Sequence, residues 1–311
     1  MDLDDRALRR LKLSDLRLFH AVVQRGGMAK AAAQLNISQP AVSKAIAALE
    51  YTLGVRLLER HPQGVEPTVY GRALLKGGMA AFDELEQSVK QIRFLADPTA
   101  GELRIGCSEP LASGFMGAVI ERFVRQHPRV VFHVVVADPV TLIERELSER
   151  QIDVVVAPTS QLAAHHELDI EVLFDDRQVV MAGTRNKLLP RRNIALGDLV
   201  GEPWLLPPPD SIIGTLILDV FRTNGLHPPR GQVVSFSLPL CCQLLAGSRF
   251  LAMLPISMAS MARGVAVKML DVDFAGIARP TGIMTLKRRM PTPLAQRLIQ
   301  ELRRSAKLLS N

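Results

Sequence analysis

The sequence predicts an α/β protein in three parts: a helix-turn-helix unit over residues 1–68, a long linker helix with a hinge over 69–98, and a two-lobed α/β domain over 99–311. Three observations carry this prediction. Residues 6–76 hold 12 Lys and Arg against 4 Asp and Glu, so the net charge of +7 is concentrated there. Phe82, Leu85, Val89, Ile92 and Ala96 step alternately by three and four, the spacing of a coiled-coil seam. From Glu102 onward apolar strands alternate with amphipathic helices, the order of a mostly parallel sheet with helices on both faces.

Composition narrows the function classes. The 311 residues, 48% hydrophobic and 22% charged, suit a soluble protein with more than one core. No run of about 18 apolar residues would span a bilayer, and Met1-Asp2-Leu3-Asp4-Asp5 is no secretory signal. Cys107, Cys241 and Cys242 lack CxxC spacing, which points to reduced thiols and a cytoplasmic location. Neither P-loop, GxGxxG, HExxH nor Gly-x-Ser-x-Gly occurs, and His165-His166 lacks the i, i+4 spacing of a helical zinc site. No enzyme, metal or cofactor is expected.

Leu13 to Gln24 reads as a first helix with Ser14 as its candidate cap, broken by Arg25-Gly26-Gly27. The alanine-rich stretch Met28 to Gln34 favours helix, and Asn36 tolerates the left-handed turn that follows. Ser38 is placed to cap the next helix, with Pro40 in its first turn. Val42, Ile46, Leu49 and Leu53 form its core stripe. That leaves Ser38, Gln39, Pro40, Ser43, Lys44 and Ala47 outside, with no carboxylate before Glu50. An ordinary capped helix pair would show the same local pattern. The coincident basic charge selects double-stranded DNA as the partner.

Leu16 to Thr68 resembles the N-terminal domain of LysR-type transcriptional regulators. The resemblance rests on Leu16-Arg17-Leu18-Phe19, Ala31-Ala32-Ala33-Gln34-Leu35, Ser38-Gln39-Pro40-Ala41-Val42-Ser43, Ala48-Leu49-Glu50, Leu53-Gly54-Val55-Arg56-Leu57 and Glu59-Arg60. It implies a wing, Arg56 to Arg60 and Gly64 to Pro67 around the turn at His61 to Gly64. It also implies that Gln39, Ser43 and Lys44 read bases, that Pro40 and Ala41 lie against thymine methyls, and that Ser38, Arg56 and Arg60 sit on phosphates. For Arg56, pairing with Glu50 or Glu59 fits equally well. The family places Ser or Thr near the start of the helix at 28, where this chain has Gly27-Met28-Ala29. By resemblance the operator is an interrupted palindrome. The seam Phe82, Leu85, Val89, Ile92 then makes a homodimer, and dimers pair into a tetramer. Packing of that seam on the chain's own C-terminal domain is the alternative.

Thr68 is a candidate cap for the helix at 69–96, and Asp97-Pro98-Thr99-Ala100-Gly101 reads as the hinge. Strands are expected at 103–107, 130–136, 152–157, 168–174, 178–183, 203–206, 232–235, 251–254, 266–270 and 282–287. Helices are expected at 114–126, 140–149, 212–224, 238–246 and 294–309. This half resembles, less specifically, the effector-binding domain of the same family, a fold related to type II periplasmic binding proteins. Lobe I then holds about 99–180 and 281–311, and lobe II about 181–280. A small-molecule effector is expected in the cleft between them, at Ser108, Glu109, Asp138, Thr159, Pro207 and Ser237. Ser108 fits equally well as a plain helix cap. A small-molecule-binding protein or degenerate enzyme, with an N-terminal domain for protein contacts, is the alternative function.

Overall fold

The computed structural model describes residues 10–62, 64–160, 166–247, 249–258, 267–274 and 276–309. His165, of the adjacent histidine pair, lies outside the described residues. The chain divides into two compact units, Met1–Val89 and Lys90–Asn311. The division falls inside the long helix.

In the first unit α1 (Leu13–Arg25), α2 (Met28–Leu35) and α3 (Gln39–Leu53) surround a core of Phe19, Val22, Ala31, Val42, Ile46 and Leu49. Ser14 does not cap α1. Lys12 holds that position, and the Ser14 hydroxyl donates to Asp15 at 3.4 Å. Asn36 takes the left-handed conformation at φ 53° and returns its N–H to the carbonyls of Ala32 and Ala33, which closes α2 and turns the chain. Ser38 Oγ accepts from the Ala41 N–H and starts α3.

The wing is the antiparallel pair β1 (Leu58–His61) and β2 (Gly64–Pro67). It docks on the α1–α2 turn through the Val65 N–H, which donates to Gly26 O at 3.1 Å. Gly64 permits this contact: its φ is +146°, and a Cβ there would stand 2.4 Å from the same carbonyl. At the wing's base Glu50 Oε1 accepts from the N–H groups of Leu57 and Leu58 at 2.7 and 3.2 Å. Thr68 caps α4 (Val69–Ala96) by accepting from Gly71 N, while its own hydroxyl donates to Arg56 O.

In the second unit strands β3 (Ala100–Cys107), β4 (Arg129–Val136) and β5 (Val154–Pro158) are parallel neighbours. β6 (Leu168–Gly183) is one strand of 16 residues where the sequence suggested two. β7 (Ile194–Ala195) pairs β12 (Val272–Asp273) in a separate ribbon. β8 (Trp204–Leu206), β9 (Gly231–Val234) and β10 (Leu251–Pro255) make the second parallel group, β11 (Val267–Met269) runs against β6, and β13 (Ala278–Leu286) returns. The order β4-β3-β5-β13-β6-β10-β8-β9 is mixed, not mostly parallel, because β13 and β6 run against their neighbours. These two strands join the lobes.

Helices α5 (Gly117–Gln126) and α8 (Pro293–Lys307) cover lobe I through Val119, Phe123, Leu298 and Leu302, so the C-terminal helix returns to the first lobe. α6 (Ile212–Thr223) covers lobe II beside Trp204, and α7 (Leu238–Gly247) packs through Leu245. The helix expected from Gly114 begins earlier, at Glu109, and passes through a π-helical turn at Ala112–Met116. A Cβ on Gly114 would stand 2.2 Å from Ser257 O, so the wide turn and the missing side chain together admit that carbonyl. The helix expected at 140–149 is likewise a short turn, Pro139–Thr141, running into π-helical Leu142–Leu147.

One ion pair lies deep in lobe I. Buried Asp153 meets Arg289 Nη2 at 3.0 Å and accepts from the Arg104 N–H at 3.1 Å, while Arg289 Nη1 donates to Ile152 O at 2.6 Å. Removing the carboxylate takes the ion-pair partner Asp153 from a buried guanidinium. Asp153→Ala is therefore expected to cost roughly 3–5 kcal/mol in urea unfolding of the second unit. Unchanged stability would show that water reaches the pair.

Candidate nucleic-acid interface and ligand cleft

α3 buries Val42, Ile46 and Leu49, which turns Gln39, Pro40 and Lys44 into solvent with Ser43 half-buried beside them. Tyr51, 83% exposed, continues the Lys44 stripe one heptad on. The sequence reading passed over it, although its spacing from Lys44 was visible. On the wing Arg60 stands opposite Val65, exposed. Arg56 is also exposed, and neither Glu50 nor Glu59 binds it: Glu50 holds the wing backbone, and Glu59 faces His61 Nε2 at 3.8 Å. The result is a helix face without carboxylates and, on or next to the wing, two exposed arginines that make no ion pair among the described residues.

The second unit encloses a cavity of about 480 Å³. Ser108, Glu109, Asp138, Pro207 and Ser237 all line it. Ser108 sits at a helix start, yet its hydroxyl makes no capping bond. Asp138 does cap: its two oxygens accept from the Thr141 N–H and hydroxyl, and those bonds hold its carboxyl below the usual range. Ser237 Oγ accepts from Leu240 N at 3.3 Å and starts α7. Glu109 is exposed at the rim. Thr159 is not among the lining residues. It is buried, and its hydroxyl donates to Pro280 O at 3.1 Å, fastening β5 to β13.

Among the polar lining residues that the sequence did not reveal are Asp176 and Gln178 on β6, and Arg279 on β13 directly opposite Asp176. Asp176 Oδ1 accepts from the Ser257 N–H at 3.0 Å and Oδ2 from its hydroxyl at 2.7 Å. Burial raises the Asp176 carboxyl, against the pull of Ser257 and of the Arg279 charge. Burial likewise lowers Arg279, with Asp176 opposing. Gln178 is 6% exposed, and its Oε1 has no hydrogen-bond partner among the described residues. Most of the remaining lining is apolar and comes from lobe II, including Leu205, Ile213, Val233, Phe236 and Leu254.

Burial disfavours the thiolate form of all three cysteines. Burial pushes Cys107 up to about 11, and burial with the neighbouring Cys242 pushes Cys241, on the cavity wall, up to about 12. Among the described residues no group of three or more His, Cys, Asp or Glu could hold a metal ion, and no helix is long and apolar enough to cross a membrane.

Comparison with known proteins agrees across nearly the whole chain. Residues 13–72 match the family described as bacterial regulatory helix-turn-helix protein, lysR family, and residues 96–307 match the LysR substrate binding domain. The HTH-type transcriptional regulator GbpR of Azospirillum brasilense is 28% identical over 278 residues, covering 89% of this chain and 76% of that protein. Two solved structures share the fold. A single-site variant of full-length OxyR from Pseudomonas aeruginosa has a TM-score of 0.65 at 19% identity, covering 96% of this chain and 95% of that one. Full-length CbnR complexed with its target DNA has a TM-score of 0.55 at 22% identity, covering 95% and 100%.

The raised thiols give a direct check. At pH 8 iodoacetamide should label Cys107 and Cys241 far more slowly in the folded protein than in the urea-unfolded chain, because the thiolate is the reactive form. Labelling at equal rates would contradict the burial assigned to them.

Proposed function

The chain belongs to the LysR family of bacterial regulatory helix-turn-helix proteins, and from that premise we propose that it is a transcriptional regulator that binds specific DNA and responds to a small molecule. The observation that carries the DNA half is the exposed face of α3, free of carboxylates, together with exposed Arg56 and Arg60 in the same unit. CbnR, similar in fold, is described in complex with target DNA, which supports the same use of this domain. Gln39, Ser43 and Lys44 read base edges in the major groove, Pro40 lies against a thymine methyl, and Ser38, Arg56 and Arg60 position the domain on phosphates. The cleft receives the effector at Ser108, with Glu109, Asp138, Pro207 and Ser237 around it. Thr159 acts behind the wall, through the β5–β13 connection.

The protein works as a homodimer on an interrupted palindrome, in the bacterial cytoplasm where its DNA lies, and pairs of dimers form the tetramer. Exposure of the α4 seam supports this assembly. Leu85, Val89 and Ile92 are 48%, 46% and 66% exposed, with Phe82 partly buried. Three exposed apolar residues in register favour a partner helix, and exposed Leu95 lies beside them.

Two substitutions test these assignments. Lys44→Ala should leave the fold intact and weaken operator binding, read by fluorescence anisotropy on DNA adjoining the protein's own gene. A base-reading lysine loses about 1–3 kcal/mol of discrimination at one position, whereas a phosphate-binding one lowers the salt slope by about one unit. Unchanged affinity at every salt concentration removes Lys44 from the interface. The double substitution Leu85→Glu with Val89→Glu should halve the mass seen by sedimentation and drop operator affinity toward its non-specific level. A persisting dimer would show that other surfaces make the assembly.

A further inference from the structure

The cavity's chemistry narrows its ligand, an inference that rests on the effector role just proposed. Its walls are mostly apolar, and three of its polar groups, Asp176, Gln178 and Arg279, sit together where β6 and β13 pair between the lobes. The charged groups of the cavity are not equivalent. Asp138 spends both oxygens on Thr141, Asp176 spends both on Ser257, and Glu109 stands in solvent at the rim. Arg279 is half-buried and feels the field of Asp176, but its guanidinium makes no hydrogen bond or ion pair among the described residues. A guanidinium held in an apolar wall without a bonded partner is costly, and a ligand anion relieves that cost.

Gln178 adds the second observation. It is more than nine-tenths buried, lines the same cavity two residues from Asp176 on β6, and leaves Oε1 without a donor. Native interiors rarely leave such an atom unsatisfied, so the ligand supplies an O–H or N–H there. The volume of about 480 Å³ equals roughly sixteen waters at about 30 Å³ each, enough for a molecule of roughly a dozen non-hydrogen atoms. We propose that the effector is a monoanionic amphiphile. Its carboxylate or sulfate head pairs with Arg279, a hydroxyl or amide near the head donates to Gln178 Oε1, and its alkyl or aryl body lies against Leu205, Ile213, Val233 and Phe236.

Isothermal titration of the full-length protein with single-chain probes, below their micelle-forming concentrations, tests this. Decanoate or decyl sulfate should bind roughly tenfold or more tightly than decanol and decylamine, the difference a charge-assisted bond makes. The tighter of the two anions identifies the head. Arg279→Gln should bring the anion down to the level of decanol, and Arg279→Lys should retain most of the preference. 3-Hydroxydecanoate should bind more tightly than decanoate to the wild type and equally to Gln178→Leu. If Arg279→Gln fails to fold, the head-group series on the wild type and the lysine variant still decide. Decanol or decylamine binding as tightly as the anions overturns the proposal. Absence of any binding, in protein that still retains operator DNA, overturns it too and leaves the regulator reading standing. Loss of DNA retention with the probes still bound would strike that reading alone.

Discussion

The antiparallel crossing of β6 and β13 is the constraint on which the second unit depends. A buried strand must pair its backbone groups along its whole length, and β6 does so for 16 residues by changing partners. Its first part pairs β13 alone, and its last part pairs β10 and β11 in the other lobe. The register shifts between Thr281 and Gly282, where the ladder gives way locally. Two lobes with separate cores are thus held by one two-stranded connection. The cleft exists because nothing else described spans the gap with comparable pairing.

Local chemistry was legible in the sequence wherever a few neighbouring residues decide the conformation. Asn36 closes α2, Ser38 opens α3 and Thr68 opens α4, each through bonds made within a turn. Ser14 misled for a related reason: a hydroxyl near a helix start is a cap only if the chain enters there, and it enters at Lys12. Glu50 was read as a possible ion-pair partner because a sequence shows its charge. Its real use, accepting two N–H groups seven and eight residues away, depends on how the wing folds back.

Long-range pairing was not legible. Arg279 lies opposite Asp176 across about a hundred residues of chain, and Asp176 reaches Ser257 through a second lobe. Ser108 and Asp138 follow strand ends, where a cleft residue is expected, whereas Asp176 and Gln178 lie in the middle of β6 and Arg279 near the start of β13. Thr159 met the strand-end rule and still faces away, because β13 needs its hydroxyl. The π-helical turns at Ala112–Met116 and Leu142–Leu147 were invisible for the same reason. They answer to what packs on them, such as Ser257 O on Gly114.

The position of the polar groups bears on how a ligand could act. A ligand shifts a conformational equilibrium only by its difference in affinity between the two states. A molecule held wholly by lobe II would bind alike whatever the angle to lobe I, and would signal nothing. Here Leu205 and Phe236 offer the apolar surface from lobe II, Ser108 stands in lobe I, and Gln178 and Arg279 sit on the two strands between them. A ligand touching all three sets loses contacts whenever the crossing bends. For such a ligand the apolar wall would supply most of the affinity, and polar contacts at the crossing would make that affinity depend on the angle between the lobes.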